Sequence, residues 1–386
     1  MKEGLTLYRT YYGGLQIYRP VSPERIVSGV GSAGELPRIL RHLGVSRPII
    51  ATSNSVATRT PLVDHLSKTI GYDDITVFSS CGQYSPEDDI NALNEVLTVS
   101  AVDCIIAVGG NSVLDTVKLA TGRQDIDSAK EPIPQIVLPT TLSAGEFTPE
   151  VGRMEGATDT IRWLPDMWAA PKAVILDPVL TLYTPDELWL ATGFQALAYA
   201  MEAVWSHQPH PYVDTLALEA ISVLTRELPR ARGENSLEAR AACQISAWMS
   251  TSDIGAKGRS LSRFLGHQIE SALDISHGVM SCVLLPTIMR LLATSTIEAQ
   301  VRIDNAMGIK NNTDTPLEYI TRAGDFLEKL AWELGLPTTI SAAGRDISEL
   351  DAIASDIVVA AETLGMMEDL PEGVETIKAL LRRVCC

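Results

Sequence analysis

CIIAVGGNSVLDTVKLA, residues 104–120, is the stretch whose reading decides the fold. Five apolar residues, Cys104 to Val108, make a strand-length run with no polar alternation, as expected of a parallel strand buried on both faces. Gly109 and Gly110 then let the backbone turn tightly and come close to a ligand. Asn111 or Ser112 can cap the helix that follows, whose free N–H groups and positive dipole end attract a pyrophosphate. Glycine next to Asn or Ser is also ordinary turn chemistry, so the stretch alone leaves a plain strand-to-helix turn open.

The neighbouring chain repeats the strand-then-helix rhythm. PIIAT (48–52), a helix through Val63 and Leu66, ITVF (75–78) and a helix from Pro86 precede it. PQIVLP (134–139) and KAVILDP (172–178) follow as further buried strands. Such alternation is the signature of βαβ units. A second loop, LPTTLSAGEFTP (138–149), leaves a buried strand carrying hydroxyls and small residues, where ligands of open parallel sheets sit.

After Asp177 the period changes. From TPDELWLATG onward apolar residues recur at three and four, near 185–206, 212–229, 237–256 and 276–293. The expected fold class is therefore α/β: a doubly wound parallel sheet in an N-terminal domain, 1–180, plus an all-helical C-terminal domain, 181–386. A chain of 386 residues is long enough for two cores. No internal repeat or low-complexity linker marks the boundary.

Composition excludes several classes of function. With 48 acidic and 31 basic residues, the net charge of −17 repels phosphate backbones and anionic membranes, so neither nucleic acid nor membrane is an expected partner. The six cysteines show no CxxC spacing and fit a reducing cytoplasm. The terminal pair Cys385 and Cys386 is not a prenylation box, since Arg383 stands where that cysteine belongs. MKEGLTLYRTYYGG lacks the apolar core of a secretory signal, and no run of 18 uncharged apolar residues follows.

One helix carries an odd stripe. In TGFQALAYAMEAVWS, 192–206, Gln195 and Tyr199 stand four apart among Ala, Leu and Met. Two such side chains can simply hydrogen-bond across a turn, an arrangement worth a few tenths of a kcal/mol.

GGNSVLD, PTTLSAGEFTP, KAVILDP and LATGFQALAYAMEA, in this order and spacing, resemble the iron-containing alcohol dehydrogenase family, over most of the chain. The compact PTTLSAGE loop and the tail LGHQIESALDISHG are most similar to its maleylacetate reductase branch. The resemblance implies a dinucleotide-binding domain, a helical domain, NAD or NADP between them, and a homodimer. It places Gly109, Gly110, Asn111 and Ser112 at the pyrophosphate, Thr140, Thr141 and Ser143 along the cofactor, and Lys172 at its ribose. Ser53 stands where this family often has an acidic residue for the ribose hydroxyls, so NADPH is tolerated.

The family's metal usually sits on one Asp and three His. The matching positions here are Gln195, Tyr199, Arg263 and His277, of which only the last keeps a metal-binding type. An amide oxygen is a weak donor and a phenol is mostly protonated at neutral pH. A guanidinium about 4 Å from a divalent ion would cost roughly 8 kcal/mol at an effective dielectric of 20. The expectation is no bound metal.

Reduction of a ketone then requires a hydride, a positive group for the developing alkoxide and a proton donor. Arg263 could stand in for the metal's charge, and its fork suits a carboxylate-bearing substrate. His267, His277 and Tyr199 are the acid/base candidates, with Gln195 beside them. The expected function is a metal-independent NAD(P)H-dependent oxidoreductase of a small carbonyl or enone substrate. The alternative is a relative turned to non-redox acid/base chemistry, such as dehydration, isomerisation or cyclisation, in biosynthetic secondary metabolism.

Overall fold

The computed structural model describes residues 23–72, 75–121, 132–148, 151–155, 160–164, 170–205, 210–233, 236–252, 261–273, 275–309, 316–345, 354, 357–359 and 374–385. The elements in chain order are β1 (Arg25–Ser28), α1 (Leu36–His42), β2 (Pro48–Thr52), α2 (Asn54–Arg59), α3 (Leu62–Ile70), β3 (Thr76–Phe78), α4 (Glu87–Val99), β4 (Cys104–Gly109) and α5 (Asn111–Thr121). Then come β5 (Gln135–Pro139), β6 (Val151–Glu155), β7 (Thr160–Leu164), β8 (Ala173–Leu176) and α6 (Pro178–Thr181). The remainder is helical: α7 (Asp186–Trp205), α8 (Pro211–Glu227), α9 (Leu237–Ser250), α10 (Leu261–Leu273), α11 (His277–Leu291), α12 (Ile297–Ala306), α13 (Pro316–Glu333) and α14 (Val374–Cys385).

Six strands form one sheet in the order β1-β8-β5-β4-β2-β3, and every neighbouring pair is parallel. The strands β2, β4, β5 and β8 are buried along their whole length, which is why they read as unbroken apolar runs. Beyond the sheet, β6 and β7 pair as an antiparallel hairpin. From β2 the chain goes outward to β3 and then crosses back to β4 on the other side. Such a reversal opens a crevice outside the carboxyl ends of the two strands, the usual ligand site of an open parallel sheet.

The carboxyl end of β8 is tied down by Asp177. Its buried carboxylate accepts from the backbone N–H groups of Gly31 at 3.1 Å, Ala33 at 2.9 Å and Val179 at 3.0 Å, the last of which caps α6. A single side chain thereby satisfies donors from two turns 146 residues apart.

The described residues of Arg19–Trp189 and Arg230–Gly255 make one compact unit, and those of Leu190–Pro229 and Ala256–Cys386 the other. This differs from a single cut near 180, because α9 packs against α6 and β8 of the sheet unit. The reason is Arg240, whose buried guanidinium lies 4.7 Å from the centre of the Trp189 ring and donates to Thr181 O at 2.7 Å. In the helical unit, α11 is buried almost throughout and packs against α10, α13 and α14. No helix among the described residues is long and apolar enough to cross a membrane.

Candidate active site

In the sheet unit the glycine doublet is required by close packing. A Cβ on Gly109 would lie 2.5 Å from Val113 Cγ2, and one on Gly110 2.9 Å from Thr141 Cγ2. The Thr140 N–H donates to Gly109 O at 3.0 Å, which locks the ends of β4 and β5 together. Thr140, Thr141 and Ser143 are buried, and the Thr141 and Ser143 hydroxyls pair at 2.9 Å. Asn111 opens α5, and its Oδ1 is buried with no partner among the described residues. Ser112 follows it, and its carbonyl accepts from Thr116 Oγ1 at 2.8 Å. Ser53 leaves β2 at the same carboxyl edge and caps α2 by accepting from Val56 N.

Lys172 is not brought to this edge. It precedes β8, and its N–H donates to Gln135 O at the start of β5, at the opposite end of the strands. Its ammonium forms an ion pair with Glu24. The expectation that it reaches the ribose is therefore corrected: a residue before a parallel strand and one after it lie on opposite rims of a sheet.

Two charged residues beside the loop gave no sequence signal. Lys118 on α5 is buried and donates from Nζ to Gly145 O at 2.6 Å and Thr148 O at 3.2 Å, which holds the 145–148 turn. Ala144, just before that turn, adopts a left-handed φ of 55°. Glu146 is buried within it, and desolvation pushes its carboxyl up to about 7, against the opposing effects of a backbone hydrogen bond and Lys118.

The helical unit gathers a second group. Gln195 Nε2 on α7 donates to the Tyr199 hydroxyl at 2.7 Å, the pairing that the four-residue spacing allowed. His277 is the first residue of α11, and its Nδ1 lies 2.9 Å from Glu270 Oε2 on α10. The Tyr199 and His277 rings are 6.3 Å apart at 36°. Ala198, Tyr199, Glu202, Gly266, His277, Ser281 and Leu284 line a cavity between these three helices. The close approach of α7 and α11 depends on Gly278, where a Cβ would lie 2.8 Å from the Ala191 carbonyl carbon.

Glu270 and Glu202 were missed by the sequence reading, because a lone carboxylate in a helix ordinarily marks a solvated face. Both are buried, at 4% and 6% exposure. The backbones of Arg263 and His267 lie in α10, and their side chains fall outside the described residues. Among the described residues no three His, Cys, Asp or Glu side chains cluster as a metal-binding group.

A six-stranded parallel sheet with a glycine-built loop at its switch point, continued by a long helical half, is the plan of nucleotide-dependent dehydrogenases. Comparison with known proteins narrows this. Residues 23–178 match the model for iron-containing alcohol dehydrogenase, and residues 189–385 that for the C-terminal part of the Fe-containing alcohol dehydrogenase family. The maleylacetate reductase of a Rhizobium species is 29% identical over 334 residues, covering 86% of this chain and 88% of that one. Its crystal structure superposes with a TM-score of 0.79 at 26% identity, covering 96% and 98%. A long-chain-alcohol dehydrogenase of Geobacillus thermodenitrificans is 26% identical, covering 89% and 91%. The chain belongs to the iron-containing alcohol dehydrogenase family, on its maleylacetate reductase branch, and is a dehydrogenase or reductase.

Proposed function

We propose that the chain is a cytoplasmic, homodimeric, metal-independent NAD(P)H-dependent reductase of a small carbonyl or enone substrate, one whose carboxylate Arg263 would recognise. The residues at the sheet's carboxyl edge fit a dinucleotide. The Gly109–Gly110 backbone comes close enough to exclude any side chain, and the buried Asn111 Oδ1 has no partner among the described residues. Ser53, Gly109, Gly110, Asn111, Ser112, Thr140, Thr141 and Ser143 would hold it. When bound, its nicotinamide supplies the hydride.

The donors at the family's ligand positions do not fit a divalent cation. The observation that carries this reading is the Gln195 amide donating to the Tyr199 hydroxyl at two of the four positions, which leaves His277 as the one residue of a metal-binding type. A neutral amide bonded to a neutral phenol is a poor donor set, and Arg263 adds a fixed positive charge. In the reduction, Arg263 stabilises the developing alkoxide, and His277 or Tyr199 delivers the proton to the carbonyl oxygen. His267 is a third proton carrier on the same helix as Arg263.

The test uses protein stripped of metal by exhaustive chelation, assayed with NADH and NADPH against small ketones and enones with and without a carboxylate. Turnover should survive chelation and be unchanged when Fe²⁺ or Zn²⁺ is returned. Activity lost on chelation and restored by metal would overturn the metal-independent reading. Product formed without oxidation of either cofactor would favour the non-redox alternative, for which buried acid/base side chains around one cavity also speak.

A further inference from the structure

We propose that Glu270 is a positioning residue for this chemistry: its carboxylate holds the His277 ring through Nδ1–H, so that Nε2 is the nitrogen that exchanges a proton with the substrate. The inference rests on the function proposed above. It starts from the bend between α10 and α11, where Glu270 and His277 are seven residues apart and meet at 2.9 Å. In the proposed pair Glu270 is ionised and accepts, so the shared proton sits on Nδ1 and Nε2 is the ring's acceptor.

The Tyr199 ring, on α7, lies 6.3 Å from the imidazole, and Gly266 lines the cavity that both rings border. Glu270 itself is 4% exposed, and burial of this kind strengthens its bond to the ring relative to the same pair in water. A fixed tautomer and a fixed orientation are the two things a proton carrier needs.

A carboxylate behind a histidine also orients imidazoles that bind metals through the opposite nitrogen. The experiment separates the two. Nitrogen-15 NMR of the histidine side chains is recorded at about pH 8, above the ordinary imidazole range, with the His277 resonance assigned by its loss in His277→Gln. The wild-type ring should be in the Nδ1–H form and unmoved by equimolar Zn²⁺. In Glu270→Ala it should revert to the Nε2–H form common in water, with kcat for carbonyl reduction lowered about 100-fold and KM for the cofactor unchanged. Should Glu270→Ala not fold, Glu270→Gln keeps the volume and an uncharged acceptor; it should retain the tautomer and lose about tenfold in kcat.

A wild-type Nε2–H ring, a Zn²⁺-induced shift of Nε2, or variants that leave tautomer and kcat untouched would overturn the proposal. If no NAD(P)H turnover is found at all, the proposed reaction fails while the tautomer measurement still decides whether Glu270 positions the ring.

Discussion

At Gly110 a single added methyl group would press on Thr141, and that side chain is itself buried and paired with Ser143. Gly110→Ala should therefore weaken NAD(P)H binding by about tenfold or more, through displacement of the loop rather than loss of a contact. Lys172→Ala, on the opposite rim, should leave the cofactor Kd within about twofold. Fluorescence titration with NADPH measures both, and a large loss in the lysine variant would return it to the ribose. The glycine doublet was legible because close backbone approach admits one residue type. Lys118, Glu146, Glu202 and Glu270 were not, because a charged side chain in a helical or loop sequence does not disclose that other elements will bury it.

Among the elements, the central strands were legible to within a residue or two, since burial on both faces leaves an uninterrupted apolar run. The four helical segments expected after residue 185 correspond to α7, α8, α9 and α11. The strand β1 escaped because four residues with a half-buried pattern carry little signal, and the β6–β7 hairpin because the parallel βαβ rhythm does not require it. What no pattern reveals is how closely two helices meet. Gly278 lets α11 approach the backbone of α7, where Gln195 and Tyr199 are carried. Gly278→Ala should cost about 1–3 kcal/mol from overpacking and also move His277 relative to Tyr199. Chemical denaturation should show the loss, with kcat falling alongside; an unchanged midpoint would mean that the helices separate freely.

Across the whole molecule, each unit contains a carboxyl that burial holds above its ordinary range: Glu146 at about 7 in the sheet unit and Asp304 at about 6 in the helical one. Desolvation is the larger cause in both, opposed at Asp304 by Arg322. Such a group binds more protons folded than unfolded, so its contribution is complete below the unfolded value and is lost as pH rises through the folded one. Glu146→Gln and Asp304→Asn should thus gain stability over wild type as pH rises from about 5 to about 8, with the advantage of the first growing through about pH 7. Melting curves across that range test it, and a difference independent of pH would exclude the mechanism.

The return of α9 to the sheet unit has a consequence for biosynthesis. On the ribosome, Trp189 lacks the guanidinium that lies over its ring until the segment bearing Arg240 has emerged, by which time the first helices of the other half have already been synthesised. Neither half is a contiguous fragment, so shuffling one between relatives requires several junctions, and a fragment ending at Trp189 would lack the guanidinium over that indole.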